Sequence, residues 1–178
     1  MMAGAAEAAE RRAVLTVQAR VPAASLAFAE LPAGMVDDGG SFAGAAAREI
    51  HEELGLELGL ADLTCLSDLA AEADADADDA GHDGGDVDGT PNPEGLPAAM
   101  YPSAGGCDEH VTIYLHERRV PREQLREWSG KLTGLRDEGE KITLKLVRMQ
   151  DLWKAGARDA KCLAALALWE GLKREGKI

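Results

Sequence analysis

The segment that decides the fold spans residues 30–58 and reads ELPAGMVDDGGSFAGAAAREIHEELGLEL. It begins with a loop, because Pro32 and the glycines that follow do not hold a regular element. Ser41 is then a good N-cap residue, and the pattern predicts a helix over Phe42–Leu54 that ends at Gly55. This predicted helix carries three closely spaced glutamates, Glu49, Glu52 and Glu53.

The three glutamates have two interpretations. Side chains three and four residues apart lie near one stripe of a helix, so the acids could be the wet face of an amphipathic helix. Repulsion at this spacing costs only about 0.2–0.5 kcal/mol per pair, which does not exclude that interpretation. The glycine loop favours a metal site instead, because it brings a backbone carbonyl towards the carboxylates. An oxygen-rich site of this kind suits magnesium together with substrate phosphates.

The spacing of the segment carries a specific resemblance. Gly34, thirteen further residues and the run REIHEELGL at 48–56 resemble the Nudix box, G-x5-E-x7-R-E-U-x-E-E-x-G-U. Every residue from Arg48 to Leu56 fits, whereas Gly40 stands where the box usually has its first glutamate. We expect this change to weaken the support of Arg48, with Asp37 or Asp38 as a substitute. The resemblance implies the Nudix fold, an α/β (α+β) architecture with a mixed sheet between helices.

The resemblance also implies roles for individual residues. Glu49 and Glu53, joined by Glu52, are expected to bind Mg²⁺, or Mn²⁺ as an alternative, with the backbone carbonyl of Ala33. Arg48 is expected to orient a carboxylate of the box. The remaining site residues implied by the resemblance are Glu109, which positions or deprotonates the attacking water, and Gly105, Gly106 and Arg20 for substrate binding. Arg20 is equally well explained as a surface arginine at the end of a strand, and Glu109 as an exposed loop acid.

Three further stretches indicate a branch of the family. LPAG at 31–34, YPSAGGCDEH at 101–110 and GLRDEGEKITLKLV at 134–147 resemble ADP-sugar and ADP-ribose pyrophosphatases, above all the plant-type ADP-sugar diphosphatases. The implied activity is magnesium-dependent hydrolysis of ADP-glucose or ADP-ribose to AMP and a sugar phosphate, by a homodimer. The alternative is a Nudix fold kept as a binding or assembly module with little or no activity.

The charge of the chain is unevenly distributed. The formal net charge is −13, but residues 71–99 contain nine acids and no Lys or Arg, which leaves 23 acids against 19 basic residues elsewhere. This balance argues against nucleic-acid binding, which needs a basic patch, and no apolar run is long enough for a membrane span. The acid-rich stretch lacks the glycine and glutamate of an EF-hand loop, so solvated charge is favoured over calcium binding. We expect 71–99 to be a mobile insertion.

The remaining organisation follows from periodicity. Residues 1–12 are expected to be an N-terminal extension and residues 13–178 the Nudix domain. Relatives have further strands before this point, so the chain either lacks part of a nucleoside site or is a fragment. The scattered cysteines predict free thiols in a reducing compartment, hence an intracellular protein, cytoplasmic or organellar (plastid or mitochondrion). Strands are predicted at 13–21, 26–30, 60–69, 111–117 and 140–149, and helices at 121–129, 149–155 and 159–173.

Overall fold

The computed structural model describes residues 11–35, 42–79, 95–135 and 139–178. Within these ranges it describes all side chains except those of Phe42, Ala45, Glu49 and residues 74–79. The predicted N-cap Ser41, the predicted substitutes Asp37 and Asp38, and Gly40 lie outside the described residues.

The main sheet has four strands in the order β2-β1-β6-β5. These are β1 (Arg12–Arg20), β2 (Ser25–Glu30), β5 (Leu132–Thr133) and β6 (Ile142–Arg148). Strand β1 lies in the centre, where Thr16 is opposite Glu30 of β2 and Leu144 of β6. All strand pairs between described residues are antiparallel.

Helices pack on both faces of this sheet because its strands alternate two apolar sides. The sides are clear in β6, where Ile142 and Leu144 join one core cluster and Val147 joins another. The first cluster packs under α1 (Phe42–Leu54) and α3 (Arg122–Trp128), and the second under α4 (Leu152–Ala155) and α5 (Ala160–Arg174). The predicted arrangement of a sheet between helices is therefore confirmed.

Helix α1 has the predicted bounds. Gly55 ends it with φ at +68°, a left-handed conformation that favours glycine, and its N–H donates to the carbonyl of His51 at 2.8 Å. Strands β1, β2 and β6 and helices α3 and α5 also lie within two residues of the predicted positions, whereas α4 begins three residues later than predicted, after a 3-10 turn at Met149–Asp151. The described residues contain no helix with the length and apolar character that a membrane crossing requires.

The strand predicted over 60–69 is wrong. Residues Leu60–Asp62 form a short 3-10 turn, only β3 (Thr64–Cys65) is extended, and α2 (Leu66–Asp79) follows at once. The apolar residues of this segment recur at helical spacing, from the buried Leu66 to the half-buried Leu69 and Ala73. Residues 71–79, which were expected to be irregular, continue this helix, and the rest of the predicted insertion up to 94 lies outside the described residues.

The strand predicted over 111–117 is shorter than expected. Only β4 (Tyr114–Leu115) pairs, with β3, in a separate two-stranded sheet. Val111 makes a single bridge to Met100, and the amide of Ile113 donates to the Ser67 hydroxyl of α2 at 2.9 Å. A hydrogen bond to a side chain of α2 therefore replaces one of the strand-to-strand hydrogen bonds that were expected here. Ile113 belongs to a third core cluster, between α2 and α5.

Candidate active site

Helix α1 separates two of its glutamates. Leu54 points into the core beside Trp128 and Ile142, and Ile50 packs against the same cluster. Glu53, next to Leu54, is only 3% exposed, whereas Glu52 is exposed. Adjacent residues on a helix are about 100° apart, so Glu52 and Glu53 point in different directions. The single stripe of three acids predicted from the sequence is therefore not found for these two. The side chain of Glu49 lies outside the described residues.

The buried carboxylate of Glu53 is the most unusual group of α1. Its Oε2 atom is buried and accepts no hydrogen bond from a described residue, although Glu53 makes another polar contact. Burying a carboxylate is costly unless cations or hydrogen-bond donors surround it. An oxygen ligand of this kind fits the chemistry of a hard divalent cation.

The exposed side of α1 borders a cavity of about 320 Å³. Arg48 and Glu52, one turn apart, both line it, and the role of Arg48 in orienting a box carboxylate stays a prediction. His51 and Glu57 also line this cavity, and neither was assigned a role in the prediction from the sequence. Glu57 is brought there by the chain reversal at Gly55, so only its position just after the helix end could have indicated it.

A second cavity, of about 550 Å³, lies at the loop before Val111. Gly105 and Gly106, the predicted substrate-binding glycines, line it together with Tyr101 and Asp108. The amides of Gly106 and Cys107 both donate to the carbonyl of Ser103, at 2.9 Å each, and fold the loop tightly. A Cβ atom at Gly106 would lie 2.9 Å from the Ser103 hydroxyl oxygen, so a larger residue there would require that hydroxyl to rotate away.

Glu109, the predicted catalytic acid, follows directly after the lining of this second cavity and is exposed. Its neighbour His110 contacts the ring of Tyr101, with the ring centroids 5.9 Å apart. No described residue lines both cavities, so Arg48 and Glu52 border one pocket and the predicted substrate-binding glycines another. Among the described side chains, which exclude Glu49, no three acids, thiols or imidazoles converge as a metal centre.

Arg20, the third predicted substrate contact, belongs to an ion cluster at the end of β2. Its Nε donates to Oε1 of Glu30 at 2.7 Å, and Nζ of Lys161 lies 3.3 Å from Oε2 of the same carboxylate. Glu30 is only 3% exposed, so these two cations offset the cost of burying its charge. The structure thus gives Arg20 a structural partner, and its predicted role toward substrate stays a prediction.

The ion cluster continues to the start of α5. Lys161 also donates to Oδ1 of Asp159 at 3.0 Å, and the amide of Leu31 donates to Oδ2 of Asp159 at 2.8 Å. Burial disfavours the charged ammonium, but hydrogen bonds to and attraction from Asp159 and Glu30 outweigh this effect and raise the pKa of Lys161. No local pattern could reveal the contact between Lys161 and Glu30, because 131 residues separate them.

The loop that carries Ala33 begins at this cluster. Leu31 is the first residue after β2, and its side chain packs against the core cluster of Leu15, Val147 and Cys162. Ala33 is half-buried two residues further along the chain. The carbonyl predicted to bind a metal therefore follows a segment that is fixed by both a hydrogen bond and core packing.

Comparison with known proteins gives two matches. The NUDIX domain family matches residues 3–166. Nudix hydrolase 14, chloroplastic, from Arabidopsis thaliana is 39% identical over 170 residues, which cover 95% of this chain. The same alignment covers 47% of the relative, so the chain spans about half the length of the curated protein that it matches.

Proposed function

Because the chain belongs to the Nudix hydrolase family, we propose that it hydrolyses the diphosphate of an ADP-sugar, ADP-glucose or ADP-ribose, to AMP and a sugar phosphate. The observation that carries this proposal is the run from Arg48 to Leu56, which matches the catalytic box at each position and forms the end of α1 and the turn after it. A module without catalysis has no need of that set of acids.

The proposed cation site uses oxygen ligands only. Glu49, Glu53 and Glu52 are the proposed side-chain ligands, and the carbonyl of Ala33 completes the protein's share. Carboxylate and carbonyl oxygens suit Mg²⁺, with Mn²⁺ as an alternative, and the buried carboxylate of Glu53 fits such a ligand. When bound, a divalent cation neutralises charge on a diphosphate and makes water a better nucleophile at neutral pH.

The residues of the chain then divide the remaining work. Arg48 orients a carboxylate of α1 from the cavity that it shares with Glu52. Glu109 holds the attacking water and accepts its proton as the water oxygen bonds to phosphorus and the bridging P–O bond breaks. Gly105 and Gly106 let the loop backbone approach the substrate closely, and Arg20 contacts a phosphate or the ribose.

Closure of the loop at 101–110 toward α1 is part of this proposal. The two cavities have separate linings in the described structure, yet the reaction needs Glu109 near the carboxylates of α1. Loop closure on substrate is a common way to complete a catalytic set.

The choice of an ADP-sugar rests on resemblance. The LPAG, YPSAGGCDEH and GLRDEGEKITLKLV stretches are similar to those of ADP-sugar and ADP-ribose pyrophosphatases. From the same resemblance we infer a homodimer, which light scattering after gel filtration can test. The Arabidopsis relative is named as chloroplastic, and we propose a plastid as one location for this chain.

A direct assay tests the proposed activity. The protein is incubated with ADP-ribose, ADP-glucose and a nucleoside triphosphate in turn, each with Mg²⁺, and AMP is measured. We expect AMP from one or both ADP-sugars and little product from the triphosphate. No product from any of them, together with no Mg²⁺ binding by calorimetry, would favour the binding-module alternative.

A further inference from the structure

Asp159 makes two different kinds of contact with its two oxygens. Oδ1 accepts from the amide of Lys161 at 3.1 Å and so caps the N-terminus of α5. Oδ2 accepts from the amide of Leu31, which is 128 residues away in sequence. A single carboxylate therefore joins the start of α5 to the start of the loop that carries Ala33.

Helix capping alone does not account for this arrangement. A serine caps a helix about as well as an aspartate, without a charge to bury. Asp159 is only 4% exposed, and its charge is offset by Lys161, which Glu30 holds from the other side. What this ion cluster adds, beyond a cap, is the bond to Leu31.

The bond to Leu31 also restricts the residues that follow it. Pro32 fixes its own φ and disfavours the helical region for Leu31, so few free torsions separate the Leu31 amide from Ala33. The Leu31 side chain is fixed in the core as well. An anchor at Leu31 therefore limits where the Ala33 carbonyl can point.

We propose that Asp159, held by Lys161 and Glu30, is a positioning residue for the cation site: it fixes Leu31 and thereby the Ala33 carbonyl. This inference rests on the proposed function, because that carbonyl is one of the proposed ligands. It assigns the ion cluster a role in cation affinity in addition to its role in stability. Asp159 itself contacts neither cation nor substrate.

The variant Asp159→Ser separates the two roles. Serine retains an oxygen that can cap α5 but is too short to cap the helix and reach Leu31 together. The matched control is Ile113→Ala, which removes buried volume from the third core cluster, whose members do not include Leu31. Both variants are compared at a temperature where each is fully folded.

Two measurements separate the hydrogen bond at Leu31 from the binding of the cation. We expect the Leu31 amide of cation-free Asp159→Ser to exchange with solvent at least about ten-fold faster than in the wild type. The dissociation constant for Mg²⁺, from calorimetry, should rise about 10- to 100-fold, the usual effect of losing a partner that orients a ligand. The Ile113→Ala control should keep the wild-type value of both, even if its melting temperature falls by the same amount.

A second pair of variants covers the case in which Asp159→Ser does not fold. Lys161→Met removes the cation that offsets the charge of Asp159 but leaves the cap, and we expect Mg²⁺ affinity to fall about three- to ten-fold. Lys161→Arg retains the charge and should restore most of the affinity. In Asp159→Ser and in Lys161→Met, the Mg²⁺ concentration for half-maximal hydrolysis should rise, while the rate at saturating Mg²⁺ should change little.

The outcomes are distinguishable. Suppose that the wild-type protein binds Mg²⁺ and hydrolyses an ADP-sugar. This inference alone is then overturned if Asp159→Ser binds Mg²⁺ as tightly as the wild type. If Asp159→Ser does not fold, unchanged Mg²⁺ affinity in Lys161→Met has the same meaning. Equal losses of affinity in Ile113→Ala also overturn it, because the effect is then one of general stability. Wild-type protein with neither Mg²⁺ binding nor hydrolysis overturns the proposed function and this inference together.

Discussion

Two buried glutamates, Glu30 and Glu53, are equally buried but have different surroundings. Each is 3% exposed. Both carboxylate oxygens of Glu30 face cations of the chain itself, Arg20 at 2.7 Å and Lys161 at 3.3 Å. The Oε2 atom of Glu53 accepts no hydrogen bond from a described residue, although Glu53 makes another contact. Burial alone therefore does not distinguish the ion pairs of Glu30 from the ligand role proposed for Glu53.

The two glutamates also differ in how far away their partners lie. Glu30 depends on residues 10 and 131 positions away. The motif around Glu53 lies within a few residues of it on a single helix. The helix repeat alone sets the relative positions of the motif residues on α1, whereas the ion cluster around Glu30 depends on packing between distant elements.

The largest expected effect is on catalysis, through Glu53. Glu53→Gln keeps the shape of the side chain but removes the charge that a cation needs, and we expect hydrolysis of an ADP-sugar to fall about a thousand-fold. The release of AMP measures the rate, and circular dichroism checks that the fold is retained. Glu123→Gln, which removes the same charge from an exposed residue of α3, is the control and should retain full activity. Full activity in Glu53→Gln would refute its assignment as a ligand.

The next effect is on the proton transfer assigned to Glu109. Glu109→Gln removes the acceptor but no proposed cation ligand, so we expect the rate to fall about a hundred-fold with Mg²⁺ affinity unchanged. Steady-state kinetics and calorimetry measure the two quantities separately. Glu117→Gln, in which an exposed acid that pairs with Arg11 is lost, should leave both unchanged. A parallel loss of Mg²⁺ affinity in Glu109→Gln would move Glu109 into the ligand set.

A third effect, on stability at high pH, comes from the buried thiol of Cys162, which follows Lys161 in the chain. Burial and the charge of Asp159 raise the pKa of the Cys162 thiol from 9.0 to about 11, although Lys161 lowers it somewhat. Between these values the unfolded chain releases the thiol proton and the folded chain keeps it. The free energy of unfolding should therefore fall as pH rises from about 9 to about 11, by at most about 2–3 kcal/mol.

Urea denaturation across this pH range measures that fall. Cys162→Ala should reduce it, and Cys107→Ala, which removes an exposed thiol, should not. Cys65 and Tyr114 also have raised pKa values, through burial first, so part of the fall should remain in Cys162→Ala. An unchanged slope in Cys162→Ala would mean that the thiol does not titrate in this range.

The smallest expected effect is the stability lost at Glu30. Glu30→Gln weakens the contacts with Arg20 and Lys161, but Lys161 retains Asp159 and Arg20 is partly exposed, so we expect a loss of about 1–2 kcal/mol. Chemical denaturation measures it. Asp151→Asn disrupts the more exposed pair with Arg148 and should cost less, about 0–1 kcal/mol. Equal losses in the two variants would remove the distinction between the buried cluster and an ordinary surface pair.

Prediction from the sequence succeeded where the signal is local. The period of two in β1 and β6, and the apolar spacing and Gly55 of α1, gave those elements within two residues. It failed at 60–69, which was predicted to be a strand. There the residues from Leu66 onwards pack as a helix against α5, and that contact depends on a distant part of the chain.

The candidate site divides in the same way. Arg48 and Glu52 are four residues apart in the sequence, and in the structure both line one cavity, while the predicted role of Arg48 stays a prediction. Prediction from the sequence did not foresee that Glu52 and Glu53 point to different sides of α1, or that His51 and Glu57 border the same cavity. The roles of Glu49, Ala33 and Glu109 remain predictions, which the variants above and direct Mg²⁺ binding can test.

The sequence by itself determined the family and the one helix that carries the box, because those depend on spacing along a few turns of backbone. Only the tertiary structure decided that Glu53 is buried while Glu52 is exposed, and that Glu30, Asp159 and Lys161 meet beside Leu31. The physical reason is that the energy of a buried charge depends on which groups surround it, and here those groups come from opposite ends of the chain.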